Sequence, residues 1–304
     1  MRKNNTLKKL VILAGPTGVG KTQLAITLAK QFKSSIISSD SRQLYKELNI
    51  GVACPSIDEL KQVPHYFIKN ISIKEDYSIG QYEQDGLKLL SNLFKQNEIL
   101  FLCGGSGLYI DALCKGVNQF PIIPKKITTK IYNDLDTKGL EFLVEELKKN
   151  DVSTYNSIDI KNSRRIIRAL EVFRTTKIPY SKYISQQLEP REFKTLYIAL
   201  DKPRDTLYNA INRRVNKMME NGLLDEVKSL YKYRNHKALQ TIGYQELFKY
   251  LDGEILLDNA IEEIKKNSRR YAKRQITWFN KSQYHHFNID NQQGIVDIIK
   301  NYYK

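Results

Sequence analysis

At 304 residues, 41% hydrophobic and 27% charged, the chain can bury the core of one large or two modest domains, which excludes a disordered or fibrous polymer. Its 49 Lys and Arg against 33 Asp and Glu leave a net charge of +16, which suits a polyanionic partner, and no run approaches the ~20 apolar residues of a membrane span. Cys54, Cys103 and Cys114 lack paired or metal-type spacing, which excludes a disulfide framework and suits packing roles in a reducing cytoplasm.

The first apolar run, Leu10 to Ala14, reads as a buried strand. It breaks into the pattern G-x-x-x-x-G-K-T: Gly15, Pro16, Thr17, Gly18, Val19, Gly20, Lys21 and Thr22. Leu24, Ala25, Leu28 and Ala29 then recur at helical spacing. Strand, glycine loop and helix in this order make a phosphate-binding loop. Backbone N–H groups converge on one anion at the positive end of the helix. Lys21 adds a point charge, and the Thr22 hydroxyl is a ligand for Mg2+.

A second strand, Ser35 to Ser38, ends in Ser39-Asp40-Ser41-Arg42-Gln43. In an open α/β sheet, polar groups just past a strand's carboxyl end face the ligand crevice. Asp40 therefore has two readings: a base or metal ligand beside the phosphate site, or the N-cap of a helix over 43–48. His65, with no partner in view, reads as structural. Residues 79–96 carry Tyr82, Leu87, Leu90 and Phe94 at the spacing of a covering helix. Ile99 to Cys103 is a buried strand that runs into Gly104-Gly105-Ser106. Most P-loop NTPases carry an aspartate there to help hold magnesium. Cys103 and two glycines argue against ordinary ATP hydrolysis, and Ser106 brings a hydroxyl beside closely approachable backbone.

From about Thr128 to Lys182 the pattern is helical and polar, a small insertion bounded by Pro121 and Pro190. Within it Lys161, Arg164, Arg165 and Arg168 cluster, with Arg164 and Arg168 one turn apart. Lys194 to Leu200 returns to strand. Asp201, Pro203 and Asp205 open a helix whose Leu207, Ile211, Val215 and Met218 face inward, with Arg213, Arg214 and Lys217 off that stripe; it stops at Asn221-Gly222. The last helical block, Ile264 to Lys281, has seven basic residues and no acidic one. Ile261, Ile264, Tyr271, Trp278 and Phe279 share the side expected to dock on the core, and Lys266, Arg269, Arg270 and Lys273 lie opposite. Gln275 and Thr277 offer hydrogen bonds to nucleic acid.

The expected fold is α/β: a nucleotide-kinase-like P-loop parallel sheet flanked by helices, comprising 1–122 and 190–304, with an inserted all-helical domain at 123–189. A P-loop kinase acting on a small molecule with ATP accounts for the loop but leaves the arginine-rich helix unexplained. A transferase moving a group from a diphosphate onto RNA accounts for both.

The stretches GPTGVGKT (15–22), SDSRQLY (39–45), CGGSGLY (103–109), RRIIRALEV (164–172), RVNKMMENGL (214–223), TIGYQEL (241–247) and RRYAKRQITWF (269–279) occur in order. Together they resemble bacterial tRNA dimethylallyltransferases, also called tRNA isopentenyltransferases, over nearly the whole chain. That family usually has threonine at the position of Ser106 and often glutamine at Arg164, and 116–126 is poorly matched. The resemblance implies transfer of a dimethylallyl group from dimethylallyl diphosphate to N6 of adenine 37 in tRNAs reading codons that start with U. It implies Gly15 to Thr22 as the diphosphate site, with Mg2+ on Thr22. Asp40 is the expected base, Ser106 holds the amine or the diphosphate, and Arg214 neutralises charge with Lys21. Contacts to the tRNA anticodon stem-loop are implied for Asp40, Ser41, Arg42, Gln43 and Ser106, and for Arg164, Arg165, Ile166, Ile167 and Arg168. Two further segments join them: Gln240, Thr241, Ile242, Gly243, Tyr244 and Gln245, then Lys273, Arg274, Gln275, Ile276, Thr277, Trp278, Phe279 and Asn280. The expectation is a cytoplasmic monomer without membrane association.

Overall fold

Leu10 to Ala14 are fully buried because their strand, β1 (Lys9–Ala14), is central in a six-stranded parallel sheet covered on both faces. The computed structural model describes residues 8–302; the basic start of the chain, residues 1–7, lies outside them. After β1 come α1 (Lys21–Gln31), β2 (Ile36–Ser38), α2 (Ile57–Leu60), β3 (His65–Tyr66), α3 (Ile79–Leu93), β4 (Ile99–Gly104) and α4 (Gly107–Lys115). The insertion holds α5 (Lys125–Asn150), α6 (Val152–Ser157), α7 (Ser163–Thr176) and α8 (Tyr180–Ile184). Then follow β5 (Lys194–Asp201), α9 (Arg204–Glu220), α10 (Leu223–Leu230), α11 (Tyr244–Leu251), α12 (Leu257–Phe279), β6 (His285–Asn288) and α13 (Gln292–Asn301).

The strand order is β3-β2-β4-β1-β5-β6. From β1 the chain winds to one side, returns to β4 beside β1, and crosses to β5 and β6 on the other. That reversal opens a crevice at the carboxyl ends. The strands end level there: Ala14 is in register with Gly104 and with Ala199, and Ser38 with Cys103. Val11 and Leu13 meet Leu24, Leu28, Ile211 and Ile295 on one face. Leu10 and Ile12 meet Tyr82, Ile110, Leu113 and Phe279 on the other. A third cluster, including Leu44, Val215, Leu223, Tyr244, Leu247 and Ile264, holds α9 to α12 against the loops beyond β2. Each fully buried aliphatic side chain contributes about 1.5–3 kcal/mol.

The chain forms two compact units, one running to Lys115 and resuming at Arg191, the other Gly116–Pro190. The helical unit begins before the expected residue 123, because Phe120 stacks on Tyr180 at 5.1 Å under the Arg168 guanidinium. Its core is Ile131, Leu143, Leu147, Ile166, Ile167 and Leu170. Arg174 is tied to Asp134 at 2.7 Å and to Glu146 at 2.9 Å. Two edge strands, β3 and β6, were not expected; they are short and largely outside the core. Residues 43–48 form turns and a single bridge at Tyr45 instead of a helix.

Candidate active site

The glycine loop leaves β1 and enters α1 through Gly20 at φ +110°, a conformation that side chains resist. No side chain caps this helix start, which leaves its first N–H groups for an anion. The Lys21 ammonium donates to the carbonyls of Gly15 and Pro16, both at 2.8 Å. Burial pulls its pKa down to about 8; Arg214 adds to the fall, while Cys103 and Asp40 oppose it. Thr22, on the first turn of α1, lines the same cavity as Lys21, Gly104 and Gly105.

Arg214 projects from α9, whose Leu207, Ile211 and Val215 are buried. Its Nη1 donates to Thr17 Oγ1 at 2.9 Å. Its pKa is lowered by burial, against the pull of Asp40. The Thr17 amide donates to Gln275 Oε1 at 2.9 Å, and Gln275 Nε2 donates to the Gly105 carbonyl at 2.9 Å. A Cβ on Gly105 would stand 2.1 Å from Gln275 Nε2, so only glycine admits this approach. Gln275, 5% exposed, thus bolts the phosphate loop to the end of β4.

Asp40 is a cap after all, but of a turn. Its Oδ1 accepts from the amides of Arg42 (2.9 Å) and Gln43 (3.3 Å), the pattern of an Asx turn. No hydrogen bond engages Oδ2 among the described residues. Ser106 Oγ accepts from the Ser41 amide at 3.0 Å and lies 3.3 Å from Ser41 Oγ. Burial pushes the pKa of the Tyr271 phenol, on α12, up to about 12; Asp40 pushes the same way and the Ser106 hydroxyl opposes.

Two cavities meet at these groups. One, of about 380 Å³, is built on Gly18, Gly20, Lys21 and Thr22. The other, of about 370 Å³, has an apolar wall of Val52, Ile211, Val215, Met218, Ile242 and Ile264. Thr17, Asp40, Arg214 and Tyr271 line both. Cys103, read as packing, lines the loop cavity, and burial raises its thiol to about 11.

The residues assigned to RNA divide by exposure. Gln240, Gln245, Lys273, Arg274, Ile276, Thr277 and Asn280 are exposed, as are Arg164 and Arg165 in the helical unit; Ser41, Arg42, Thr241, Ile242 and Arg168 are half-buried. Ile166 and Ile167 instead fill the helical core, and Gly243, Tyr244, Gln275 and Phe279 are buried in the catalytic unit. Of these six, Gly243 still lines the apolar-walled cavity and Gln275 the loop cavity. The Gln43 side chain donates from Nε2 to Ala53 O at 3.0 Å and holds that loop. Trp278, expected to dock inward, is 37% exposed and rests against Gly107 with the Lys281 ammonium 4.3 Å from its ring. The sequence reading did not single out Tyr271 as a site residue; a phenol on the margin of an apolar stripe was its only signal.

A parallel sheet with a glycine-lysine-threonine loop at its central strand, and a carboxylate and an arginine lining the cavity at that loop, defines a P-loop protein. The IPP transferase family model matches residues 43–282. The chain is 47% identical over 278 residues to tRNA dimethylallyltransferase 1 of Bacteroides fragilis, covering 91% of this chain and 92% of that one. It is similar to the crystal structure of a full-length tRNA isopentenylpyrophosphate transferase from Bacillus halodurans (TM-score 0.70, 36% identity, 96% and 95% of the two chains). It is also similar to a eukaryotic dimethylallyltransferase acting on tRNA (TM-score 0.83, 26% identity, 97% and 79% covered). The chain belongs to the IPP transferase family.

Proposed function

We propose that this chain transfers a dimethylallyl group from dimethylallyl diphosphate to N6 of adenine 37 of tRNA, releasing diphosphate. The observation that carries the reading is the junction of the two cavities at Thr17, Asp40, Arg214 and Tyr271. A leaving anion on the glycine loop and a base entering past the apolar wall would meet there. Lys21, Arg214 and the loop N–H groups neutralise charge that grows on the diphosphate as the allylic C–O bond breaks. The Asp40 carboxylate takes a proton from N6 as the N–C bond forms. The adenine must leave its stack to enter a pocket of this depth.

Thr22 lines the loop cavity beside Lys21 and offers a hydroxyl oxygen, a donor of the hard type that magnesium takes. An ion on the Thr22 hydroxyl would draw its other ligands from the diphosphate and water, as magnesium does. When bound it supplies further charge neutralisation to the leaving group.

The basic face of α12, with Lys273 and Arg274 exposed, suits the phosphates of the anticodon stem. Among the described residues no helix is long and apolar enough to cross a membrane. Incubation with labelled dimethylallyl diphosphate and unmodified tRNA, followed by nucleoside analysis, tests the assignment. Label on N6 of adenine 37 supports it. Consumption of ATP with a small acceptor and no need for RNA would replace it with the kinase reading.

A further inference from the structure

The apolar wall is fixed mostly by helices: Ile211, Val215 and Met218 stand on α9 and Ile264 on α12. Val52 comes from a loop, so its place depends on what holds residues 49–54. That loop closes on itself, the Ala53 amide donating to Ile50 O at 2.9 Å and the Cys54 amide to Asn49 O at 3.0 Å. Ala53 sits at φ +46°, a left-handed conformation that persists only where its surroundings hold it. Glu226 on α10 supplies part of that hold. Its Oε2 accepts from the Ile50 amide at 2.8 Å, and its Oε1 from the Gly51 amide at 3.0 Å and the Tyr244 hydroxyl at 2.6 Å. Three donors thus meet one carboxylate, two of them the consecutive backbone amides just before Val52. Tyr244 is fully buried, and a Cβ on Gly51 would stand 2.5 Å from its ring. Burial and the Glu226 charge raise the phenol's pKa, which keeps its proton for this bond.

We propose that Glu226 is a positioning residue: by gripping Ile50 and Gly51 it sets Val52 against the five-carbon tail of the prenyl donor. The inference rests on the prenyl-transfer reading. A dimethylallyl group has no polar atom, so an aliphatic wall is what can hold it, and Val52 with its partners on α9 and α12 forms that wall. Apolar contact with the tail persists from bound substrate to transition state. Glu226 therefore acts on donor affinity and leaves the chemical step alone. Its three hydrogen bonds all lie outside the glycine loop, so the anion cradle keeps its shape without them.

Glu226→Gln keeps the shape, but its NH2 must replace one of the two oxygens and face a backbone N–H, donor against donor. KM for dimethylallyl diphosphate should rise about tenfold, the scale of one methylene's contact in an apolar pocket, with kcat within about twofold. Binding of methyl diphosphate, the same headgroup without the tail, should change less than about twofold. The second arm is a cycle with Val52→Ala, which should itself raise KM about tenfold. In that background Glu226→Gln should add less than about threefold. Equal losses in both backgrounds, or equal weakening of both diphosphates, would mark a merely structural glutamate and overturn the inference. Should Glu226→Gln not fold, Tyr244→Phe keeps the buried ring and removes one donor. A loss of about threefold for dimethylallyl diphosphate alone then supports the inference, and an unchanged ratio of the two affinities overturns it. If the wild type binds methyl and dimethylallyl diphosphate equally, the tail has no pocket, and the prenyl-transfer reading falls with this inference. If the wild type prefers the dimethylallyl ligand and Glu226→Gln keeps that preference in full, only the inference falls.

Discussion

Replacing Gln275 with leucine tests how α12 and the glycine loop are joined. The side chain is 5% exposed and makes two hydrogen bonds of 2.9 Å, one from the Thr17 amide and one to the Gly105 carbonyl. Leucine leaves both backbone groups buried without partners, at about 1–3 kcal/mol each, and recovers about 1–2 kcal/mol from the added apolar burial. The expected net loss is about 3 kcal/mol, or roughly 6–12 °C in Tm for a domain of this size. Gln275→Glu sharpens the test. A protonated carboxyl can both accept from Thr17 and donate to Gly105, whereas a carboxylate faces the carbonyl oxygen. The folded state thus raises that pKa above its unfolded value of about 4.3, so the variant's stability is present below that value and is lost as pH rises through the folded pKa. Thermal unfolding followed by circular dichroism between about pH 4 and pH 8 reads both effects. A leucine variant melting with the wild type, or a glutamate variant insensitive to pH, would refute the bridge.

The lowered pKa of Lys21, about 8, predicts that kcat/KM for the prenyl diphosphate declines above that pH as the ammonium is lost. The kcat profile stays flat there, since bound diphosphate holds the proton; parallel declines would remove Lys21 from the anion site. The same shift makes stability rise as pH increases from about 8 toward the ordinary lysine value of 10.5, because the unfolded chain binds the extra proton. Lys21→Met should abolish that rise in a denaturant titration. Asp40→Asn keeps an Oδ1 for the Arg42 and Gln43 amides, so it should fold while kcat drops about 10²–10⁴-fold. Retention of more than a tenth of the turnover would end its role as base. Lys273 and Arg274 changed together to alanine should flatten the salt dependence of tRNA binding by about 0.7–0.9 per lost phosphate contact; an unaltered slope takes them off the RNA.

The sheet was legible because its central strands are continuous apolar runs, and Leu10–Ala14 and Ile99–Cys103 admit no other burial pattern. β3 and β6 were not, since His65–Tyr66 and His285–Asn288 are short edges with little apolar content. The phosphate loop is local in sequence and was readable residue by residue. The buried bridge made by Gln275 was not foreseen, although a helical wheel places it about 20° from Ile264, near the centre of the buried face. A polar residue there needs buried partners, and these came from loops more than a hundred residues distant in the chain. Trp278 lies toward the margin of that face, where periodicity alone does not separate docking from half-exposure. Asp40 capping a turn and lining the cavities reconciles its two readings: one carboxylate oxygen serves the backbone.

The claim that carries the most weight is that the glycine loop holds a leaving group whose bond to carbon breaks. Dimethylallyl diphosphate with heavy oxygen in its C–O–P bridge, turned over with unmodified tRNA, reads this directly. All of the label should emerge in inorganic diphosphate, matched mole for mole by prenylated adenine. Label found in dimethylallyl alcohol, or diphosphate released without it, would mean that a P–O bond broke and that the loop performs phosphoryl chemistry.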